Sequence, residues 1–309
     1  MTAPRTACIV VVVVMFAVVT STLWPLLTYS ASLACFGLLH VVVELRYVRS
    51  RFGDHLPMPL WWSCGALLAA IVGVRALRLA GVAGELAGPL ELVLVAAMLV
   101  VGAVLAARWS RVGGAFGVVA AAVVVAGAVA APIETVLALA ILHNLTPLGF
   151  VVERAAPAER TRTAVIAGLV FIGAPLLVAS GLPLRTAPQL VDLTTSFPST
   201  PPLFESYRMY LWPALVEHER ALSLFSAAVC AQVLHYAAVI AWLPRGASSS
   251  SSSSSSVLAA FAVVVVGLAA HFAVDFVGAR GVYGLVAAVH AWIELPVLLV
   301  ALSMITRRA

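Results

Sequence analysis

The chain contains no lysine: all 18 basic residues among its 309 are arginine. A retinal Schiff base, a pyridoxal enzyme and a P-loop each need a lysine amine, so those chemistries are excluded. Charge of either sign is scarce, and Asp, Glu, Lys and Arg together make up only 10% of the residues. A soluble domain carries about 25%, and at a mean hydropathy of +1.09 this chain cannot cover a water-facing surface. It reads as an integral membrane protein. The net charge of +5 does not point to nucleic acid, because the arginines sit mainly between apolar runs, where cytoplasmic loops collect them. Cysteine is sparse too. Cys8, Cys35, Cys64 and Cys230 lie inside apolar stretches without a Cys-x-x-Cys pair. That excludes a disulfide framework and a thiolate metal site, and leaves four small residues expected to be buried.

What is present is a series of apolar runs. A helix crosses the hydrocarbon core with about 20 apolar residues, and the breaks between runs predict ten spans. They lie near 7–26, 29–48, 57–74, 89–107, 113–131, 132–152, 163–182, 221–243, 257–276 and 282–305. The run after Arg5 has no small-residue cleavage site and a second run follows at once, so it is taken as a span and not as a signal peptide. The stretches 6–43 and 112–152 are each long enough for two spans, with Pro25 and Pro132 as turn markers. The count falls to nine if one of them does not divide. The predicted fold is therefore all-α, a polytopic transmembrane helical bundle forming one membrane domain over residues 1–309, in the bacterial inner (cytoplasmic) membrane.

Orientation follows from arginine. With both termini in the cytoplasm, the inner segments hold Arg5, Arg46, Arg49, Arg51, Arg108, Arg111, Arg154, Arg160, Arg162, Arg245, Arg307 and Arg308. The outer ones hold Arg75, Arg78, Arg185, Arg208, Arg220 and Arg280, and an inner excess is the usual bias. Residues 183–220 form the longest connection, on the outer side, rich in proline and followed by Tyr207, Tyr210 and Trp212. Aromatic residues beside a span prefer the interface, so this loop either folds down against the bundle as a lid or runs as an ordinary surface loop. The run 248–256 is polyserine and reads as a flexible linker.

Ionisable groups inside spans are costly and mark function by default. Five of the seven histidines fall inside spans: His40, His143, His235, His271 and His290. Three have a carboxylate four residues on, namely Glu44, Asp275 and Glu294, and residues at i and i+4 share one helix face. Depth in the proposed topology puts His40, His143, His235, His290, Glu44 and Glu294 in one layer as metal ligands, and leaves His271 and Asp275 near the outer end. Pro147 lacks the N–H that would bond the carbonyl of His143, so a kink is expected there. Gln232 and Tyr236 flank His235 along one face, where they could hydrogen-bond a ligand or a metal-bound oxygen. Glu91 and Glu134 lie close to span starts and read as structural.

A histidine and carboxylate set without thiolates suits iron, mono- or dinuclear, with zinc or manganese as alternatives. Buried in the bilayer, it suggests a metal-dependent oxidoreductase or oxygenase acting on a lipophilic small molecule, such as a lipid or isoprenoid, with an electron donor as a further partner. A proton or metal-ion transporter using the same groups is the competing reading, and haem binding a further one. The His-x-x-x-His and His-x-x-His-His boxes of the fatty-acid desaturases do not occur, and the Glu-x-x-x-His order of the haem A synthases is reversed. The arrangement resembles that of the multi-histidine integral membrane oxygenases such as the bacterial membrane β-carotene dioxygenases. The likeness rests on His40 with Glu44 early in the chain, His235 late, and His290 with Glu294 in the last span, without that family's closely paired histidines. The resemblance implies a multi-pass fold and oxygenase chemistry on a lipophilic substrate.

Overall fold

The computed structural model describes residues 3–54, 56–243 and 255–306, and across them the chain is helical without a strand. In lipid every backbone N–H and C=O must be satisfied within its own segment, which leaves the helix as the natural choice for long apolar runs. The chain opens with α1 (Ala3–Leu23), α2 (Pro25–Phe52), α3 (Met58–Leu79), α4 (Ala87–Ala106) and α5 (Arg111–Ala130). It continues with α6 (Pro132–His143), α7 (Thr146–Arg154), α8 (Arg160–Gly168), α9 (Ala174–Ala179) and α10 (Leu182–Thr186). The last third holds α11 (Leu203–Tyr210), α12 (Pro213–Val216), α13 (Ala221–Ala237), α14 (Ser255–Val274) and α15 (Phe276–Thr306).

Among the described residues, eight helices are long and apolar enough to cross a membrane: Pro25–Phe52, Met58–Leu79, Gly84–Ala106, Arg111–Ala130, Pro132–Arg154, Pro157–Ala179, Ala221–Trp242 and Phe276–Met304. Two further apolar helices, Ala7–Leu23 and Phe261–Val274, are shorter. They occupy the first and ninth of the ten predicted spans, so eight segments meet the length of a span. Pro25 and Pro132 each begin a helix. At the first break Thr28 donates through Oγ1 to the Thr20 carbonyl at 2.9 Å. A side chain reaches back eight residues only if the chain bends sharply there. The serine linker predicted at 248–256 lies outside the described residues as far as 254.

The chain groups into two compact units. One comprises Met1–His40 and Arg162–Arg280, the other Val41–Thr161 and Gly281–Ala309. In the second unit α4 and α5 approach closely through small residues. A Cβ on Gly117 would stand 2.7 Å from the Ala103 Cβ and 2.5 Å from Leu299, so only glycine permits the contact. Ser110 caps α5, its hydroxyl accepting from Gly113 N at 3.1 Å. Arg75 and Arg78 lie within α3, which runs five residues past the predicted span end at 74. Arg75 pairs with buried Glu91 at 2.6 Å and donates to the Gly284 carbonyl at 2.5 Å. Glu91 is thus structural through an ion pair and not through a helix N-terminus.

In the first unit, α13 packs against α1 and α9, and Tyr29 stands among Tyr210, Phe225 and Phe276 with ring centroids 5.2 to 5.8 Å away. Residues 188–210 lie against these helices. Asp192 N donates to the Leu23 carbonyl at 2.7 Å, Phe197 N to the Ser30 hydroxyl at 3.0 Å, and Arg280 to the Met209 carbonyl at 2.9 Å. Burial pushes the Tyr207 phenol up to about 12. Between α14 and α15, Asp275 caps the last helix by accepting from Gly278 N at 2.9 Å. Ser199, in the left-handed region at φ 57°, donates to the Phe272 carbonyl at 2.7 Å and accepts from Phe276 N at 2.8 Å. One hydroxyl thereby satisfies both sides of the helix break. Of the cysteines, Cys64 and Cys230 are buried as expected, whereas Cys8 and Cys35 are exposed on apolar helix faces. In a membrane such a face meets lipid, and a small thiol carries no penalty there.

Candidate metal centre

In the second unit the site begins with a helix that stops early. Pro147 cannot donate to the His143 carbonyl, and the Thr146 hydroxyl takes that place at 2.8 Å. Asn144 turns its amide back onto the Ala140 carbonyl at 3.2 Å, so α6 ends at His143 and α7 starts at Thr146. The break leaves the imidazole at a helix end, with its side chain 12% exposed. His143 Nδ1 lies 3.1 Å from Glu294 Oε2, and its Nε2 lies 3.0 Å from His290 Nε2. His290 and Glu294 stand one turn apart on α15, and both are buried.

Glu44, on α2, is fully buried. Glu44, His143 and His290 each offer one ligand atom, and these atoms lie within 4.8 Å of one another. The second unit therefore contains a buried His/Glu group that could hold a metal ion. Metal–nitrogen bonds of about 2.0–2.1 Å place two nitrogens about 3.3 Å apart at a tetrahedral angle and about 2.9 Å apart at a right angle. The 3.0 Å between His143 and His290 falls in the range that two ligands of one ion span.

The first unit holds a histidine pair. His235 lies near the end of α13, just before the π-helical turn Ala238–Trp242, a local widening often found at functional positions. The His40 and His235 rings meet edge to face with centroids 5.2 Å apart, and their ligand atoms lie within 4.8 Å. His40 Nδ1 lies 3.3 Å from the Phe36 carbonyl. A proton on Nδ1 makes that bond and puts the lone pair on Nε2, the nitrogen that would meet a metal. Tyr236 stacks on His40 with centroids 4.1 Å apart.

α2 runs through both groups. His40 and Glu44 stand one turn apart on it, 1% and 0% exposed, so a single helix face carries a member of the histidine pair and a member of the triad. Gln232 has other partners than a ligand. It accepts from the Tyr210 hydroxyl at 2.5 Å and donates to the Ser32 hydroxyl at 2.8 Å, which ties α11 and α2 to α13. Glu294 falls outside the group of ligand atoms that lie within 4.8 Å of one another and lies 3.1 Å from His143 Nδ1. Asp275 serves as a helix cap, so His271 and Asp275 belong to the helix break. Sequence reading missed the Arg75, Glu91 and Trp292 set, in which the indole N–H donates to Glu91 at 2.9 Å. The signal was available as an arginine and a glutamate of opposite charge in successive apolar runs.

Comparison with family models, curated proteins and solved structures finds no match for this chain. The fold and the site by themselves define an all-helical integral membrane protein with a buried His/Glu group fit for a metal ion.

Proposed function

We propose that the protein is a membrane-embedded metal-dependent oxidoreductase, an oxygenase acting on a lipophilic small molecule, with Glu44, His143 and His290 serving one divalent metal and His40 and His235 remaining candidate ligands. The observation that carries this reading is His143, with a carboxylate on one ring nitrogen and a second imidazole nitrogen 3.0 Å from the other. A carboxylate, an imidazole and a metal in that order recur in metal sites because the outer carboxylate sets the tautomer and orientation of the ring. Two buried glutamates add to it, since carboxylates deep in the bilayer are costly and a divalent cation offsets them. Iron is favoured over zinc or manganese by the substrate that such a place admits. An isoprenoid or acyl chain offers C–H and C=C bonds, and their oxidation needs a redox metal and dioxygen. Tyr236, stacked on His40, is the proposed catalytic hydroxyl group. An electron donor and membrane lipid are the further partners. Ten spans with both termini cytoplasmic, in a bacterial inner membrane, complete the proposal.

A second reading has its own observation. The contacts from Glu294 through His143 to His290, at 3.1 and 3.0 Å, also form a continuous proton path, as a transporter would use. The test begins with metal analysis of protein purified in detergent without chelators, followed by anaerobic loading with ferrous iron and measurement of oxygen uptake with added membrane lipid extract. The enzyme reading expects about one metal per chain and uptake that rises with lipid. Absence of stoichiometric metal, together with proton flux into proteoliposomes, would replace it with the transporter.

A further inference from the structure

Glu294 and Glu44 are both buried glutamates of the second unit and look equivalent by sequence, each four residues after a histidine. Their surroundings differ. Glu44 offers an oxygen within 4.8 Å of ligand nitrogens on His143 and His290. Glu294 instead meets the Nδ1 edge of His143 at 3.1 Å. The two nitrogens of an imidazole point away from each other, so a group bonded to Nδ1 stands on the far side of the ring from whatever Nε2 binds.

We infer that Glu294 is a positioning residue and not a ligand, accepting the Nδ1–H of His143 so that Nε2 faces a single divalent ion held with Glu44 and His290. The inference rests on the metal reading above and sharpens it. Charge favours one ion: Glu44 and Glu294 as carboxylates balance one dication, whereas a second would leave two uncompensated positive charges in an apolar interior. Thr146 supports the arrangement from the chain side. Its hydroxyl donates to the His143 carbonyl at 2.8 Å, so the helix break fixes the imidazole at the end of α6.

Cobalt(II) reports the difference, because its visible absorption follows the ligand set. The full-length wild type, Glu294→Gln, Glu294→Leu and Glu44→Gln, purified in detergent, are titrated with cobalt alone, reading bound cobalt per chain and the visible spectrum. The wild type is expected to bind one cobalt. Glu294→Gln keeps an oxygen that accepts the Nδ1–H, and should bind one cobalt with a shifted spectrum and a modest loss of affinity. Glu294→Leu should bind about 10- to 100-fold more weakly, the usual effect of removing an outer partner. Glu44→Gln should abolish stoichiometric binding. The inference is overturned if Glu294→Gln loses cobalt as completely as Glu44→Gln, if the wild type binds two ions, or if Glu294→Leu matches the wild type in affinity and spectrum. If Glu294→Leu does not fold, the isosteric glutamine variant decides alone. A wild type that binds neither cobalt nor any purified-in metal overturns the underlying metal reading instead.

Discussion

Trp292 donates its indole N–H to Glu91 at 2.9 Å, and that bond sets the rotation of the last helix. At 3.6 residues per turn, Trp292 points about 200° away from His290 and about 200° away from Glu294. Holding the indole on α4 therefore turns both site residues to the opposite side. The carboxylate is itself held by the Arg75 guanidinium at 2.6 Å, which donates on to Gly284. Structure outside the site thus aims His290 and Glu294.

Breaking this pair should be costly. Glu91→Leu leaves Arg75 without its counter-ion, and removing one partner of a buried pair costs about 3–5 kcal/mol. The lower end is expected here, because the Arg75 side chain is 23% exposed. Thermal unfolding in detergent checks this, and an unchanged transition would show that the pair carries no structural weight.

The site itself is probed by His143→Ala. Metal content should fall from about one per chain to near zero, while far-UV circular dichroism and a cooperative thermal transition persist, because apolar packing elsewhere is untouched. Metal retained at the wild-type level would remove His143 from the ligand set.

Ser199 is predicted to lock the break between α14 and α15. Ser199→Ala deletes the hydroxyl that serves Phe272 and Phe276 and should cost about 1–3 kcal/mol, the range for leaving buried backbone groups unpaired. Limited proteolysis should then cut within 188–202 faster than in the wild type. Equal cutting rates would mean that the loop is held by its other contacts alone.

Asp192 gives the loop a pH dependence of known sign. The hydroxyls and backbone N–H groups of Thr194 and Thr195 hold its carboxyl below the usual carboxylate range. A depressed value means that the stabilisation is present above the unfolded value of about 3.9 and is lost as the pH falls through the folded one. Hydrogen-exchange protection of residues 194–195 should be flat from neutral pH to about pH 4 and decline below it. Asp192→Asn should remove the decline, and an identical profile in that variant would refute the assignment.

For topology, reporter fusions at residue 309 and within 185–215 should report opposite sides of the membrane. Both on one side would overturn the arginine-based orientation and the ten-span proposal with it.

Much of this was open to a reader of the sequence. Composition alone placed the chain in a membrane, since so few charged residues cannot face water. Pro25, Pro132 and Pro147 marked helix breaks because a missing N–H acts locally. The pairs of His40 with Glu44 and His290 with Glu294 were legible for the same reason, as spacing along one helix determines which side chains share a face. What spacing could not decide was which faces turn toward one another. Gln232 and Tyr236 stand on either side of His235 in sequence, yet Gln232 is taken by Tyr210 and Ser32 while Tyr236 lies on His40. Glu44 and Glu294 have the same relation to a histidine, yet one borders the ligand nitrogens and the other backs His143. Those outcomes depend on helix rotation and close approach, set by contacts such as Trp292 with Glu91 and Gly117 with Ala103. Residues far apart in the chain make these contacts, and only the tertiary structure brings them together.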